Sequence, residues 1–130
     1  MFVLRYLVAF QLLSLSFGAA SAADIVSYAK PDDWYATSKD GCSFTISGEI
    51  KQGDRDRLIK ALNGAQGGRG SSLVACLNSE GGNFDEGIKI GEFFLKTLVA
   101  TRIKPHQKCL SACAIMFMAG QNLDTPMAST

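Results

Sequence analysis

Residues 72–77 read SLVACL, a short apolar run between a glycine-rich segment (GAQGGRGSS, 64–72) and the turn NSEGGN (78–83). An apolar run of this length, bounded by turn formers, predicts a strand buried on both faces, the pattern of a parallel sheet. Parallel strands cannot be joined by tight hairpins; each pair needs a crossover, usually a helix. That requirement limits the chain to an alternation of strands and helices, and the flanking sequence supplies both.

Upstream, CSFTISGEI (42–50) alternates Phe44, Ile46 and Ile50 with polar residues and reads as a strand ending at Gly48. KQGDRDRLIKALNG (51–64) reads as a helix starting at Gly53-Asp54, with Leu58, Ile59 and Leu62 as its apolar stripe and Gly64 as its stop. Arg55, Asp56 and Arg57 belong to its solvated face. The glycine-rich segment is a surface loop. After the NSEGGN turn, a helix is expected from about Asn83 to Val99. Phe84, Ile88, Gly91, Leu95 and Leu98 recur at steps of four and three and share a face. Gly87 and Gly91 weaken that helix intrinsically, and their expected benefit is close approach to the sheet. ATRIKPH (100–106) is a short strand or extended link. LSACAIMFMAG (110–120) is apolar all round, which predicts a buried helix with Met116 and Met118 as core fillers. Three strand–helix units in sequence predict an α/β layered domain with a mainly parallel sheet and right-handed crossovers. The tail QNLDTPMAST (121–130) has no periodic pattern. A domain of this type would continue with further strands, so the sequence reads as an incomplete copy of a larger domain.

The amino terminus carries Arg5, an apolar stretch from Tyr6 to Phe17, and then small residues, with Ala20-Ser21-Ala22 fitting the small-x-small cleavage rule. That is the pattern of a secretory signal peptide, and the apolar run is short for a membrane span. The expected layout is a signal peptide at 1–22, an irregular lead-in at 23–41 with Trp34 and Tyr35, the α/β domain at 42–123, and a tail at 124–130. The mature chain is then expected to start near Ala23 or Asp24 and to be soluble and periplasmic, delivered by export across the inner membrane. Lys and Arg number 13 against 12 Asp and Glu, so no basic excess points to nucleic acid or anionic lipid. Export into an oxidising compartment makes disulfides the expected state of Cys42, Cys76, Cys109 and Cys113. Four cysteines allow three connectivities, and all stay open: Cys109 and Cys113 could bridge across the serine between them, act as a redox pair or stay separate buried thiols, and Cys42 could pair with Cys76 on a neighbouring strand. Zinc is disfavoured, because the chain has no CxxC pair and a single histidine, His106.

Two loops carry the candidate chemistry. Asn78-Ser79-Glu80-Gly81-Gly82 follows a buried strand, and Cys109-Leu110-Ser111-Ala112-Cys113 opens a helix. In open α/β sheets, ligands bind at the carboxyl ends of the strands. Backbone N–H groups there can hold a developing oxyanion, and glycine permits the backbone geometry this needs. Ser111 facing donors from both loops makes half of a serine hydrolase: a nucleophile and an oxyanion hole. The bland alternative is that Ser111 is a helix N-cap.

These residues carry a family resemblance. The stretch from Cys42 to Gly120 resembles the core of the Clp protease proteolytic subunit, within the wider Clp/crotonase fold. That family has an Asn-Ser-Pro-Gly-Gly turn followed by a helix like NFDEGIKIGEFFL, and a Ser-x-x-Ala motif opening a buried helix, matched by Ser111-Ala112-Cys113-Ala114. The separation of Gly81 from Ser111 agrees with the family's without a gap. The exported, cysteine-bearing version CLSACAIMFMAG is similar to periplasmic Clp-protease-like proteins of bacteria. The resemblance implies a serine endopeptidase with Ser111 as nucleophile, the N–H groups of Gly82 and Ala112 as oxyanion donors, and Gly81 as the other glycine of the turn. It implies peptide or protein substrates, self-association into rings, and no metal, nucleotide or other cofactor.

The chain departs from the family in two places. Glu80 stands where the family usually has proline, which puts a negative charge near the oxyanion position unless it points to solvent. The family's histidine and aspartate lie downstream of the serine, whereas His106 lies upstream and Asp124 comes too early. A serine without a base is a poor nucleophile. Hence a second expectation stands beside the first: a non-catalytic binding or interaction protein that keeps the fold. A Ser–Lys dyad using Lys108 is a third.

Overall fold

The computed structural model describes residues 21–33, 35–65 and 73–121 and the backbone of 123–124. Most of the expected signal peptide, Trp34, the glycine-rich loop and the tail beyond Asp124 lie outside the described residues.

The chain is α/β. Eight elements follow one another as β1 (Asp24–Ser27), β2 (Phe44–Ser47), α1 (Asp54–Leu62), β3 (Val74–Asn78), α2 (Phe84–Thr97), β4 (Ala100–Arg102), α3 (Ala112–Met118) and β5 (Leu123–Asp124). The strands form one sheet in the order β1-β2-β3-β4-β5. β1 runs antiparallel to β2, and the other three pairings are parallel. SLVACL is therefore a central parallel strand, flanked by β2 (Phe44 opposite Ala75, Ile46 opposite Leu77) and by β4 (Val74 opposite Ala100). The lead-in is more regular than the sequence suggested. Its residues Asp24 to Ser27 extend the sheet, with Ile25 opposite Ile46.

Alternation along β2 decides which side of the sheet is covered. Phe44 and Ile46 are fully buried and join Ala75, Leu77, Leu58, Leu62, Ile90, Phe94 and Met116 in one core. Phe44 meets Phe94 of α2 at 6.0 Å between ring centroids in a tilted arrangement, a favourable geometry for aromatic pairs. α2 packs against both α1 and α3, so the three helices form a single layer.

α1 starts at Asp54 and ends at Asn63, a left-handed C-cap one residue before Gly64. Leu58 and Leu62 are buried as the stripe predicts, and Ile59 is half-buried. Asn83 caps α2, its side chain accepting from the Glu86 N–H at 2.8 Å.

Two expectations about the helices fail. Of the expected face only Gly91 is buried; Phe84, Ile88, Leu95 and Leu98 are exposed, and α2 buries Glu86, Gly87, Ile90, Phe93 and Phe94 beside Gly91. The sequence holds two helical stripes of comparable apolarity. The choice between them is made by the glycines, which lie against the backbone of α3 rather than against the sheet. A Cβ on Gly87 would come within 2.8 Å of the Ala112 carbonyl oxygen. α3 itself is buried on one side only: Ala112, Cys113 and Met116 are covered, while Met118 is 67% exposed and is no core residue.

Candidate active site

β3 delivers the chain into the Asn78–Gly82 turn, and hydrogen bonds fix that turn on both sides. Toward β2, Gly48 donates to the Asn78 carbonyl (3.0 Å), Ile50 donates to the Gly81 carbonyl (2.8 Å), and Asn83 donates to the Ile50 carbonyl (2.8 Å). Toward the serine loop, Ser79 pairs with Cys109 as a short parallel bridge. Ser79 donates to the Lys108 carbonyl (2.8 Å), and Leu110 donates to the Ser79 carbonyl (3.0 Å). The buried Ser79 hydroxyl accepts the Gly81 N–H at 3.0 Å. Gly81 and Gly82 have φ of 107° and 138°. Both values are costly for any residue with a Cβ. Gly81 has a second reason to be glycine: a Cβ there would lie 2.7 Å from the Ser111 Cβ and 3.3 Å from the Ala112 nitrogen. The turn and the serine are thus in direct apposition.

Ser111 is exposed and has φ 53° and ψ −122°, outside the regions a non-glycine residue prefers. It occupies the N-cap position of α3 but makes no capping hydrogen bond. The N-cap reading is therefore set aside, since capping means a side-chain oxygen accepting from the first turn. A serine strained at a strand-to-helix turn, hydroxyl outward, is a geometry associated with nucleophiles. Cys109 and Cys113 are bridged across it, with Cα atoms 5.0 Å apart. Cys42 and Cys76 form the other disulfide, Cα to Cα 5.7 Å, tying the start of β2 to β3. Both bridges left open by the sequence exist together.

Among the described residues, the N–H groups of Gly82 and Ala112 have no protein acceptor. They are free to donate to a substrate atom. Glu80 is 76% exposed and points away, its carboxylate taking the Lys108 ammonium at 2.7 Å. That hydrogen bond, and then the charge of the ammonium, hold the Glu80 carboxyl below the ordinary glutamate range. The same contact engages the Lys108 amine, so the structure does not bring it to Ser111 as a dyad would require.

His106 sits in an exposed turn with φ 64°, not on a strand, and among the described residues no hydrogen bond links it to Ser111. The side chain of Asp124 lies outside the described residues. Ser79 was missed as a site residue by the sequence reading, although a serine two positions before a glycine in a turn is itself a local hydrogen-bonding signal. Asp54, which the sequence marks only as the start of α1, is fully buried there.

A concavity of about 390 Å³ lies elsewhere, between α1 and α2, lined by Gln52, Arg55, Asp56, Glu86, Lys89 and Glu92. Its charges are partly spent: the Glu86 carboxylate accepts the Arg55 backbone N–H at 2.8 Å and faces Lys89 at 3.8 Å, and the Arg55 guanidinium meets Asp56 at 3.2 Å. Among the described residues, no cluster of His, Cys, Asp or Glu could hold a metal ion, and no helix is long and apolar enough to cross a membrane. Compared with models of protein families, with curated proteins and with solved structures, the chain matches none.

Proposed function

We propose that this chain is an exported, periplasmic serine-peptidase-like domain of the Clp type, with Ser111 at the nucleophile position. The N–H groups of Gly82 and Ala112 serve as oxyanion donors, and Gly81 leaves room for Ser111 beside them. The observation that carries this reading is the strained, uncapped Ser111 apposed to a glycine turn with unspent N–H groups. In the reaction, the Ser111 hydroxyl oxygen attacks a peptide carbonyl carbon while a base takes its proton. The carbonyl oxygen gains charge and accepts from the two N–H groups. Collapse expels the amine, which takes that proton from the base, and leaves an acyl ester on Ser111; water, giving a proton to the same base, then releases the acid, and the proton returns to the Ser111 oxygen. The two disulfides are compatible with export. The exposed Phe84, Leu95 and Leu98 of α2 support the self-association that the resemblance implies.

A second reading, a binding protein that keeps the fold without the chemistry, is favoured by one specific feature. Lys108 is engaged by Glu80, and His106 makes no bond to Ser111. Labelling the oxidised protein with a fluorophosphonate, with and without added imidazole as an external base, separates the two. A Ser111-dependent adduct that imidazole accelerates, and that Ser111→Ala abolishes, supports the peptidase reading. A folded protein that gives no such adduct under either condition supports the binding reading.

A further inference from the structure

The carboxylate of Asp54 is fully buried, and one of its partners is the backbone nitrogen of Ala23, a residue thirty-one positions earlier that is also fully buried. Oδ2 accepts from that nitrogen at 3.3 Å and from the Lys51 N–H at 2.7 Å, and Oδ1 takes the Arg57 guanidinium at 2.6 Å. Ser21 and Ala22, immediately before, are exposed. The chain thus passes from solvent into the core at one peptide bond, Ala22–Ala23. That is the bond the small-x-small pattern Ala20-Ser21-Ala22 marks for cleavage.

We infer that Asp54 is the built receptor for the amino terminus created by processing, and that the mature protein begins at Ala23. This rests on the export reading but not on the peptidase reading. A peptidase of small-x-small specificity adds water across the Ala22–Ala23 bond. The carbon–nitrogen bond breaks, the Ala22 carbonyl carbon takes the oxygen and leaves as a carboxylate, and the Ala23 nitrogen becomes an ammonium. An amide that gave Asp54 one long, neutral hydrogen bond is replaced by a cation, whose bond to a carboxylate is shorter and stronger. Removing the exposed Ser21 and Ala22 opens the outer side of the nitrogen to water, so its remaining protons are solvated. β1 holds Ala23 in place, since Asp24 is paired with Ser47 and Ala23 itself belongs to the core. A start at Asp24 would forfeit all of this: the buried alanine would be lost and the ammonium would lie one residue away from Asp54.

The test begins with the full chain exported by a bacterial host and its amino terminus sequenced. Ala23 is expected. An Asp24 start overturns this inference alone, and an uncut chain overturns both it and the export reading. The second measurement compares urea unfolding of the processed protein with that of a variant carrying one glutamine inserted between Ala22 and Ala23. That insertion keeps every native residue but puts an amide, not an ammonium, beside Asp54. The insertion should lower the folding equilibrium constant about tenfold or more, as expected for a charge-assisted bond lost from a buried carboxylate. In an Asp54→Asn background, the insertion should change it less than about twofold. Equal stability of the processed and inserted chains overturns the inference even if Asp54→Asn fails to fold. The Ser111 adduct is scored separately, so the peptidase reading stands or falls on its own.

Discussion

Gly87 and Gly91 lie one helical turn apart on the buried face of α2, yet replacing them with alanine should have opposite effects. Alanine is favoured over glycine in a helix interior by about 1 kcal/mol, which both substitutions gain. The difference lies in what the new methyl meets. At Gly91 the nearest atoms are the Ala119 Cβ at 3.3 Å and the Ile115 carbonyl oxygen at 3.6 Å. Ala119 lies at the end of α3, where a few tenths of an ångström of movement suffices. At Gly87 the methyl would meet three atoms of Ala112 at 2.8, 2.9 and 3.2 Å, two of them backbone. Carbon–carbon contacts are optimal near 3.5–4.0 Å, so the start of α3 would have to move by roughly half an ångström or more. Overpacking of this kind costs about 1–3 kcal/mol. Gly91→Ala should therefore be neutral or more stable by up to about 1 kcal/mol, and Gly87→Ala less stable by up to about 2 kcal/mol after the propensity gain. Urea unfolding of the oxidised proteins reads both, with midpoints expected on opposite sides of the parent. If the two variants agree within about 0.5 kcal/mol, the close packing of α2 on Ala112 is not what places glycine there. The pair also probes the proposed site, in which the Ala112 N–H is the proposed oxyanion donor. Any Ser111 adduct should form more slowly in Gly87→Ala and at the parental rate in Gly91→Ala.

Ser111→Ala should leave stability nearly unchanged, since no capping bond is lost, whereas Ser111→Gly should gain about 1 kcal/mol by relieving the strained backbone; thermal unfolding of both checks this. Replacing Cys42 and Cys76 together by serine should cost about 4 kcal/mol and replacing Cys109 and Cys113 about 2 kcal/mol, because the first bridge closes the longer loop; denaturant titrations give the order. The lowered Glu80 carboxyl makes the Lys108 pair contribute above the ordinary glutamate pKa and lose its contribution as pH falls through the lowered value. An NMR titration should show the Glu80 midpoint rising in Lys108→Ala and rising with salt in the parent.

The parallel sheet was legible because β3 is buried on both faces and has glycine-rich turns on either side. The apposition of the two loops was legible because each leads into a helix at the carboxyl end of an expected strand, with the family resemblance adding the spacing of Gly81 and Ser111. What periodicity could not provide was the phase of α2. Phe84, Ile88, Leu95 and Leu98 satisfy helical spacing as well as Gly87, Ile90, Gly91 and Phe94 do, and hydrophobicity favours the first set. The second set wins because α3 comes so close that only glycine fits, and no count of apolar residues along one helix contains its neighbour. Asp54 escaped for the same reason. Its three partners come from Ala23, Lys51 and Arg57, and the first is distant in sequence, so a carboxylate that the sequence marks only as a helix start is in fact fully buried.

Three features hold the serine loop in place. The Ser79–Cys109 bridge fixes the approach of its loop, the Cys109–Cys113 disulfide closes the turn around it, and Gly81 is pressed against its Cβ. Three separate constraints converge on one backbone conformation that a serine would not adopt alone. A conformation costing about 1–3 kcal/mol persists only when its surroundings over-determine it, and such residues concentrate at functional sites. If the proposed peptidase reading holds, what the described residues fix is the half of the reaction that depends on position: a hydroxyl and two N–H donors. The missing half, proton removal, contributes about 10²–10⁴-fold in enzymes that have a positioned base. On that reading the described side chains do not supply the base, and adding one is the perturbation to which Ser111 should respond.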